Sequence, residues 1–156
     1  MRIYLDSCCV NRVFDDPAQE RVRLEAASIT AILNRVQMGD WKWISSTIVE
    51  TEVAAIDDFE RWSQTWRLLD DATQCVALSN EIKTRAAELE TLGIRSFDAL
   101  HVACAEFSGA DVFLTTDDQL LHGAERAGNK LKVLVANPLP WFTQVMTNER
   151  NNVDDD

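Results

Sequence analysis

Two neighbouring stretches, residues 94–105 (IRSFDALHVACA) and 110–121 (ADVFLTTDDQLL), decide how this chain folds. In the first, Ser96 supplies an N-cap and Asp98 an acid in the first turn of a helix. That helix is apolar nearly all round and is therefore expected to be buried. In the second, Val112 to Thr115 form a short apolar strand, and Asp117 follows its end. A buried strand that delivers a carboxylate from its C-terminal end places that group where open α/β sheets bind their ligands. Two further acids are expected at the same edge, Asp6 and Glu52.

Outward from there, Arg2-Ile3-Tyr4-Leu5-Asp6 reads as a strand that is apolar until its last residue. Asp16-Pro17 starts a helix, with Asp as N-cap and Pro in the first turn. Val22, Ala26, Ile29, Leu33 and Val36 give it one apolar face, and Gly39 ends it. Residues 41–45 are a second strand. Thr47-Ile48-Val49-Glu50 fits a capping box, which gives Glu50 a local task. With Ile48, Val49, Val53 and Ile56 defining the buried direction, Glu52 lies about 40° from it and Glu50 about 120°. Glu52 is the acid on the buried edge, where a carboxylate needs a partner.

Asp57-Asp58 cap a helix reaching Leu69, on which Trp62 and Trp66 share a face, either for core packing or for a partner. Residues 74–78 form a weak strand, 79–92 a helix stopped by Gly93, 117–127 a helix ended by Gly128, and 131–135 a strand. Asn137-Pro138-Leu139-Pro140 is expected to break regular structure, with Trp141-Phe142 packing back as a short closing segment. From Asn148 the chain is polar, and 148–156 are expected to be a disordered acidic tail following a single domain over 1–147. Short apolar strands separated by helices define a three-layer α/β/α sandwich with a central, mostly parallel sheet.

The chain has 156 residues, enough for one domain with a self-sufficient core. Its net charge of −11 argues against nucleic-acid binding through a broad basic surface. The four cysteines (8, 9, 75 and 104) contain no C-x-x-C pair and are expected to be small buried hydrophobes in a reducing cytoplasm. Neither a leader pattern nor a long apolar run is present, so a cytoplasmic protein without a membrane segment is expected.

Asp6, Glu52, Asp98 and Asp117 share one cleft if the strand ends converge as a parallel sheet requires. Four adjacent carboxylates do not all stay ionised without cations. All-oxygen ligands suit Mg²⁺ or Mn²⁺, and such ions at a sheet edge suit phosphoryl transfer: they activate a water and stabilise the leaving oxygen. Neither histidine has zinc-like spacing. A receiver is excluded because no middle strand ends in Asp, and a phosphatase using Asp-x-Asp is excluded by Asp6-Ser7-Cys8.

Four segments together, Ile3-Tyr4-Leu5-Asp6-Ser7, Ser46-Thr47-Ile48-Val49-Glu50-Thr51-Glu52-Val53, Asp98-Ala99-Leu100-His101-Val102-Ala103 and Leu114-Thr115-Thr116-Asp117, resemble the PIN-domain family, and within it the VapC-type toxins. The resemblance spans residues 1–135. It implies a metal-dependent endoribonuclease, a cofactor of Mg²⁺ or Mn²⁺, a homodimer and inhibition by a cognate antitoxin. Carried over, the catalytic and metal-binding quartet is Asp6, Glu52, Asp98 and Asp117. Ser7 matches a hydroxyl near the metal and Thr115 one that orients Asp117. Asn11 and Arg12, beside Asp6, are candidate phosphate contacts. His101 replaces an often apolar residue and is read as a satisfied buried histidine. Gln119 stands where many relatives carry a further acid. The alternative is a catalytically inactive PIN-like binding or scaffold module.

Overall fold

The computed structural model describes residues 1–154. Five strands, β1 (Arg2–Leu5), β2 (Lys42–Ser46), β3 (Gln74–Val76), β4 (Val112–Leu114) and β5 (Leu134–Ala136), form one sheet in the order β3-β2-β1-β4-β5. Every pairing is parallel. The helices are α1 (Ser7–Arg12), α2 (Glu20–Gln37), α3 (Thr47–Ala54), α4 (Phe59–Leu69), α5 (Asn80–Thr91), α6 (Ser96–Phe107), α7 (Asp118–Ala127) and α8 (Pro138–Asp154).

Alternation along the strands divides the core into two layers. Tyr4, Ile44 and Phe113 face α3, α5 and α6, where Val49, Val53, Ile82, Leu89, Val102 and Ala103 are buried. Ile3, Leu5, Trp43, Val112 and Leu114 face α1 and α2, with Trp141 and Phe142 of α8 packed against that layer. This is the three-layer sandwich expected from the sequence. The chain leaves β1 in both directions across the sheet, to β2 and β3 on one side and to β4 and β5 on the other. The C-terminal ends of β1 and β4 therefore flank the switch point at which such sheets form a crevice.

Several local expectations are corrected. The second helix begins at Glu20, not at Asp16-Pro17; the Asp16 carboxylate instead accepts from the Ala18 N–H at 3.0 Å, closing a turn. The N-cap of α3 is Ser46, whose hydroxyl accepts from the Val49 N–H, so the capping box of Thr47 and Glu50 does not form. Glu50 accepts from the Cys75 thiol, at 3.3 Å. At α6, Arg95 rather than Ser96 occupies the cap position. The Asn137–Pro140 stretch starts a helix instead of breaking one: the Asn137 side chain accepts from the Leu139 N–H, and Pro138 lies in the first turn, where its missing N–H costs nothing. That helix continues through the expected disordered tail as far as Asp154; Asp155 and Asp156 lie outside the described residues. Of the cysteines only Cys9 and Cys104 are buried; Cys8 is half-buried and Cys75 exposed. Trp62 and Trp66 do share a face, stacked at 6.3 Å with Phe59 beside them, and the face is half-open. Among the described residues no helix is long and apolar enough to cross a membrane.

Candidate metal centre

Asp6 is the residue at which β1 becomes α1. Its backbone carbonyl accepts from Cys9 N–H at 2.9 Å, and its carboxylate, 5% exposed, points into the crevice. Thr115, at the end of β4, donates its hydroxyl to that carboxylate at 2.8 Å and accepts from the Asp117 N–H at 3.1 Å. One buried hydroxyl thus ties the first acid to the loop carrying the last. Thr115 was expected to orient Asp117; it holds Asp6 as well. Asp117 caps α7 through the N–H groups of Gln119 and Leu120.

Glu52 reaches the same place from α3. Ser7 donates to it at 2.6 Å, and His101 Nε2 makes a close hydrogen bond to its other oxygen. The same His101 nitrogen lies 3.7 Å from the Asp6 carboxylate. Ligand atoms of Asp6, Glu52 and His101 all fall within 4.8 Å of one another. His101 is 1% exposed, and its Nδ1 is paired with the Tyr4 hydroxyl at 2.7 Å, which also meets the Ser46 hydroxyl at 2.6 Å. A chain of side chains from the α3 cap to Glu52 therefore fixes the ring. The sequence reading of a satisfied buried histidine is correct, but the histidine also faces the cleft. The signal was available: His101 lies three residues after Asp98, hence on the same helical face.

Asp98 and Asp117 form a second pair, bridged by Arg95. Its guanidinium lies 2.8 Å from Asp98 and 2.5 Å from Asp117, and it donates to Gln119 at 2.6 Å. The structure thus splits the expected quartet into Asp6 with Glu52 and Asp98 with Asp117, each pair holding a nitrogen base of the protein. Arg95 was missed by the sequence reading, although its i, i+3 spacing to Asp98 was visible. Asn11 is half-buried and donates to the Ser7 carbonyl at 3.1 Å. Arg12 is paired with Asp15 and with buried Glu25. Arg12 is therefore already neutralised, which weakens its expected role with phosphate.

The electrostatics follow from this packing. Burial by itself would raise the Glu52 carboxyl, but the hydrogen bond and charge of His101, with the Ser7 hydroxyl, hold it below its ordinary value. Burial would lower His101, but Glu52, Asp6 and Asp98 keep it above. Asp98 is raised, mainly by burial, against the opposing hydrogen bond from Arg95. Carboxylate oxygens gathered around a buried Asp6, with fewer cations than acids beside them, are a suitable seat for a hard divalent ion.

A parallel α/β sheet with acids converging beyond β1 and β4 defines a small class of folds. The PIN domain family model matches residues 3–126, and the chain belongs to that family. PIN domains are generally nucleases and use divalent metal. The solved structure of VapBC2 from Rickettsia felis bound to a DNA fragment from its promoter is similar, with a TM-score of 0.60 and 17% identity over 88% of this chain and 98% of that one. No curated protein matches the sequence.

Proposed function

We propose that the protein is a metal-dependent endoribonuclease, the toxin of a VapC-type toxin–antitoxin pair. The observation that carries this reading is the convergence of Asp6 and Glu52, with Asp98 and Asp117 beside them, at the switch point of the sheet. The donor set fits a divalent cation, Mg²⁺ or Mn²⁺: carboxylate oxygens dominate and the ligand atoms are already close. Such an ion, when bound, supplies Lewis acidity toward a phosphodiester and its attacking water.

The chain's own residues prepare that chemistry. Asp6 and Glu52 hold one side, with Asp98 and Asp117 on the other. Thr115 and Ser7 orient Asp6 and Glu52 through their hydroxyls. His101, braced by Tyr4, fixes the rotamer of Glu52 from below. The likeness to the VapBC2 fold supports an antitoxin partner, and the stacked Phe59, Trp62 and Trp66 face of α4 supports an association surface, for a homodimer or for that partner.

A second reading, a PIN module without catalysis, is favoured by one observation: each acid pair already has a nitrogen partner from the chain, His101 at Glu52 and Arg95 at Asp98 and Asp117. Incubating cellular RNA with the purified protein in EDTA, Mg²⁺ or Mn²⁺, beside Asp98→Asn, separates the two. Discrete fragments that need metal and vanish in the variant are expected. Equal behaviour of wild type and variant, with no Mn²⁺ binding, leaves the scaffold reading.

A further inference from the structure

Beside the acids, the start of α6 and one face of α7 enclose a groove of about 320 Å³. Gln119, His122 and Arg126 line it from α7 at spacings of three and four, one helical face, and Arg95 and Asp98 line it from α6. Between His122 and Arg126 the buried Gly123 keeps the floor low: a Cβ there would stand 3.8 Å from the Ile94 side chain and 3.7 Å from the Arg126 guanidinium. Asp98 belongs both to the groove and to the acid set, so the groove is continuous with the cleft.

Five other guanidiniums, those of Arg12, Arg21, Arg35, Arg61 and Arg85, are neutralised by carboxylates. Arg126 makes no ion pair among the described residues. Among the described residues Arg95 makes its ion pairs with Asp98 and Asp117, through an oxygen of each that a divalent ion would compete for; it also donates to Gln119, and its side chain is 55% exposed.

We propose that this groove seats an RNA phosphate next to the one that is cut, with Arg95 and Arg126 as its two cations. Arg95 rests on Asp98 and Asp117, whose oxygens a divalent ion held there would compete for, and its exposed planar fork is of the kind that binds a phosphate in bidentate fashion. The assignment rests on the nuclease reading. It reconciles RNA binding with a chain of net charge −11, because the few cations needed are concentrated beside the reacting group.

The test uses Arg95→Gln and Arg126→Gln in the full chain. A fluorescent single-stranded RNA 12-mer is titrated in Ca²⁺ at several KCl concentrations, and Mn²⁺ binding is followed by electron paramagnetic resonance. Each variant is expected to bind RNA several-fold more weakly, with the slope of log K against log salt shallower by about 0.7. Arg126→Gln leaves Mn²⁺ affinity unchanged, whereas Arg95→Gln raises it several-fold because a competitor for the oxygens is gone. A merely structural arginine would not strengthen metal binding. An unchanged salt slope in both variants overturns the proposal, as does Mn²⁺ affinity that fails to rise in Arg95→Gln. So does loss of hexaglutamate binding with RNA binding intact, which would make the groove a seat for an acidic peptide. If wild type cleaves RNA while the variants bind it normally, only the groove assignment falls. If wild type neither binds Mn²⁺ nor cleaves, the nuclease reading falls and takes this one with it.

Discussion

His101 sits one helical turn after Asp98, under the cleft, and its ring joins Tyr4 to Glu52. Asp6 is held from two sides, by the Thr115 hydroxyl and the Cys8 thiol. Replacing Asp6 by Asn keeps the shape of these contacts and removes a charge. Metal-dependent cleavage is expected to fall by at least about a hundredfold, since loss even of an outer partner of a metal ligand costs up to that much. The urea midpoint in EDTA should stay within about 1 kcal/mol of wild type, because the lost repulsion compensates. A chain that unfolds instead would make Asp6 a structural residue. The His101–Glu52 pair has a pH signature. Glu52 is held low, so its contribution to stability is present above the unfolded carboxyl value and lost as pH falls through the folded one. His101 is held high, so its contribution is complete below the ordinary value of 6.5 and lost as pH rises through the folded one. In EDTA the stability gap between wild type and His101→Gln should therefore be widest at about pH 5 to 6.5 and narrow on the alkaline side. Urea midpoints from pH 5 to 9 measure it, and a gap independent of pH would mean that His101 is neutral in the folded protein.

Among the elements, α8 separates what the sequence shows from what it hides. Strands β1 and β4 were legible because each is a short apolar run closing on an acid, and α4 because Asp58 is a true N-cap accepting from the Arg61 N–H at 2.7 Å. The start of α2 was misread because Asp16-Pro17 satisfies a turn as well as a helix start. The helix α8 was misread because Pro138 and Pro140 look like breakers, while Pro in a first turn loses no hydrogen bond. Its stability comes from tertiary packing, which local sequence does not display: the Trp141 ring meets Trp41 edge-on at 5.7 Å, and Arg35 lies over Trp41 at 5.1 Å. Arg95 and the buried Glu25 escaped notice because one partner of each, Asp117 and Arg12, lies on another element, although the i, i+3 pair with Asp98 and the i, i+4 pair with Arg21 are local. Trp141→Ala should cost about 2 kcal/mol in urea unfolding, below the usual range for a buried Trp because the ring is only half-buried. Deleting residues 148–156 removes the Arg35–Glu149 pair, which is partly exposed, and should cost under about 1 kcal/mol, less still in high salt. A larger loss would show that the last turns of α8 brace the sheet.

At the scale of the whole molecule, topology and charge act together. The order β3-β2-β1-β4-β5 places the ends of β1 and β4 side by side, so that Thr115 meets Asp6 across 109 positions of sequence and brings Asp117 to the same edge. A chain of net charge −11 that gathers four of its acids at one edge is electrostatically strained without metal, and Arg95 and His101 offset that strain only in part. A divalent ion that binds the folded state alone must therefore stabilise the whole domain. At a hundred times its dissociation constant the gain is about 2.7 kcal/mol. For a domain of this size that corresponds to a rise in Tm of roughly 5–10 °C. Thermal unfolding of the metal-free protein against added Mn²⁺ and Mg²⁺ measures it. Asp98→Asn should show a much smaller rise with metal, and in EDTA it should be at least as stable as wild type, since it carries one fewer buried charge. Raising KCl in EDTA should lift the wild-type Tm more than that of the variant, because screening relieves the repulsion the variant lacks. If saturating Mn²⁺ leaves the wild-type Tm where it was, the acid set holds no metal, and the chain is a PIN module in which Arg95 and His101 have taken the place of the ion.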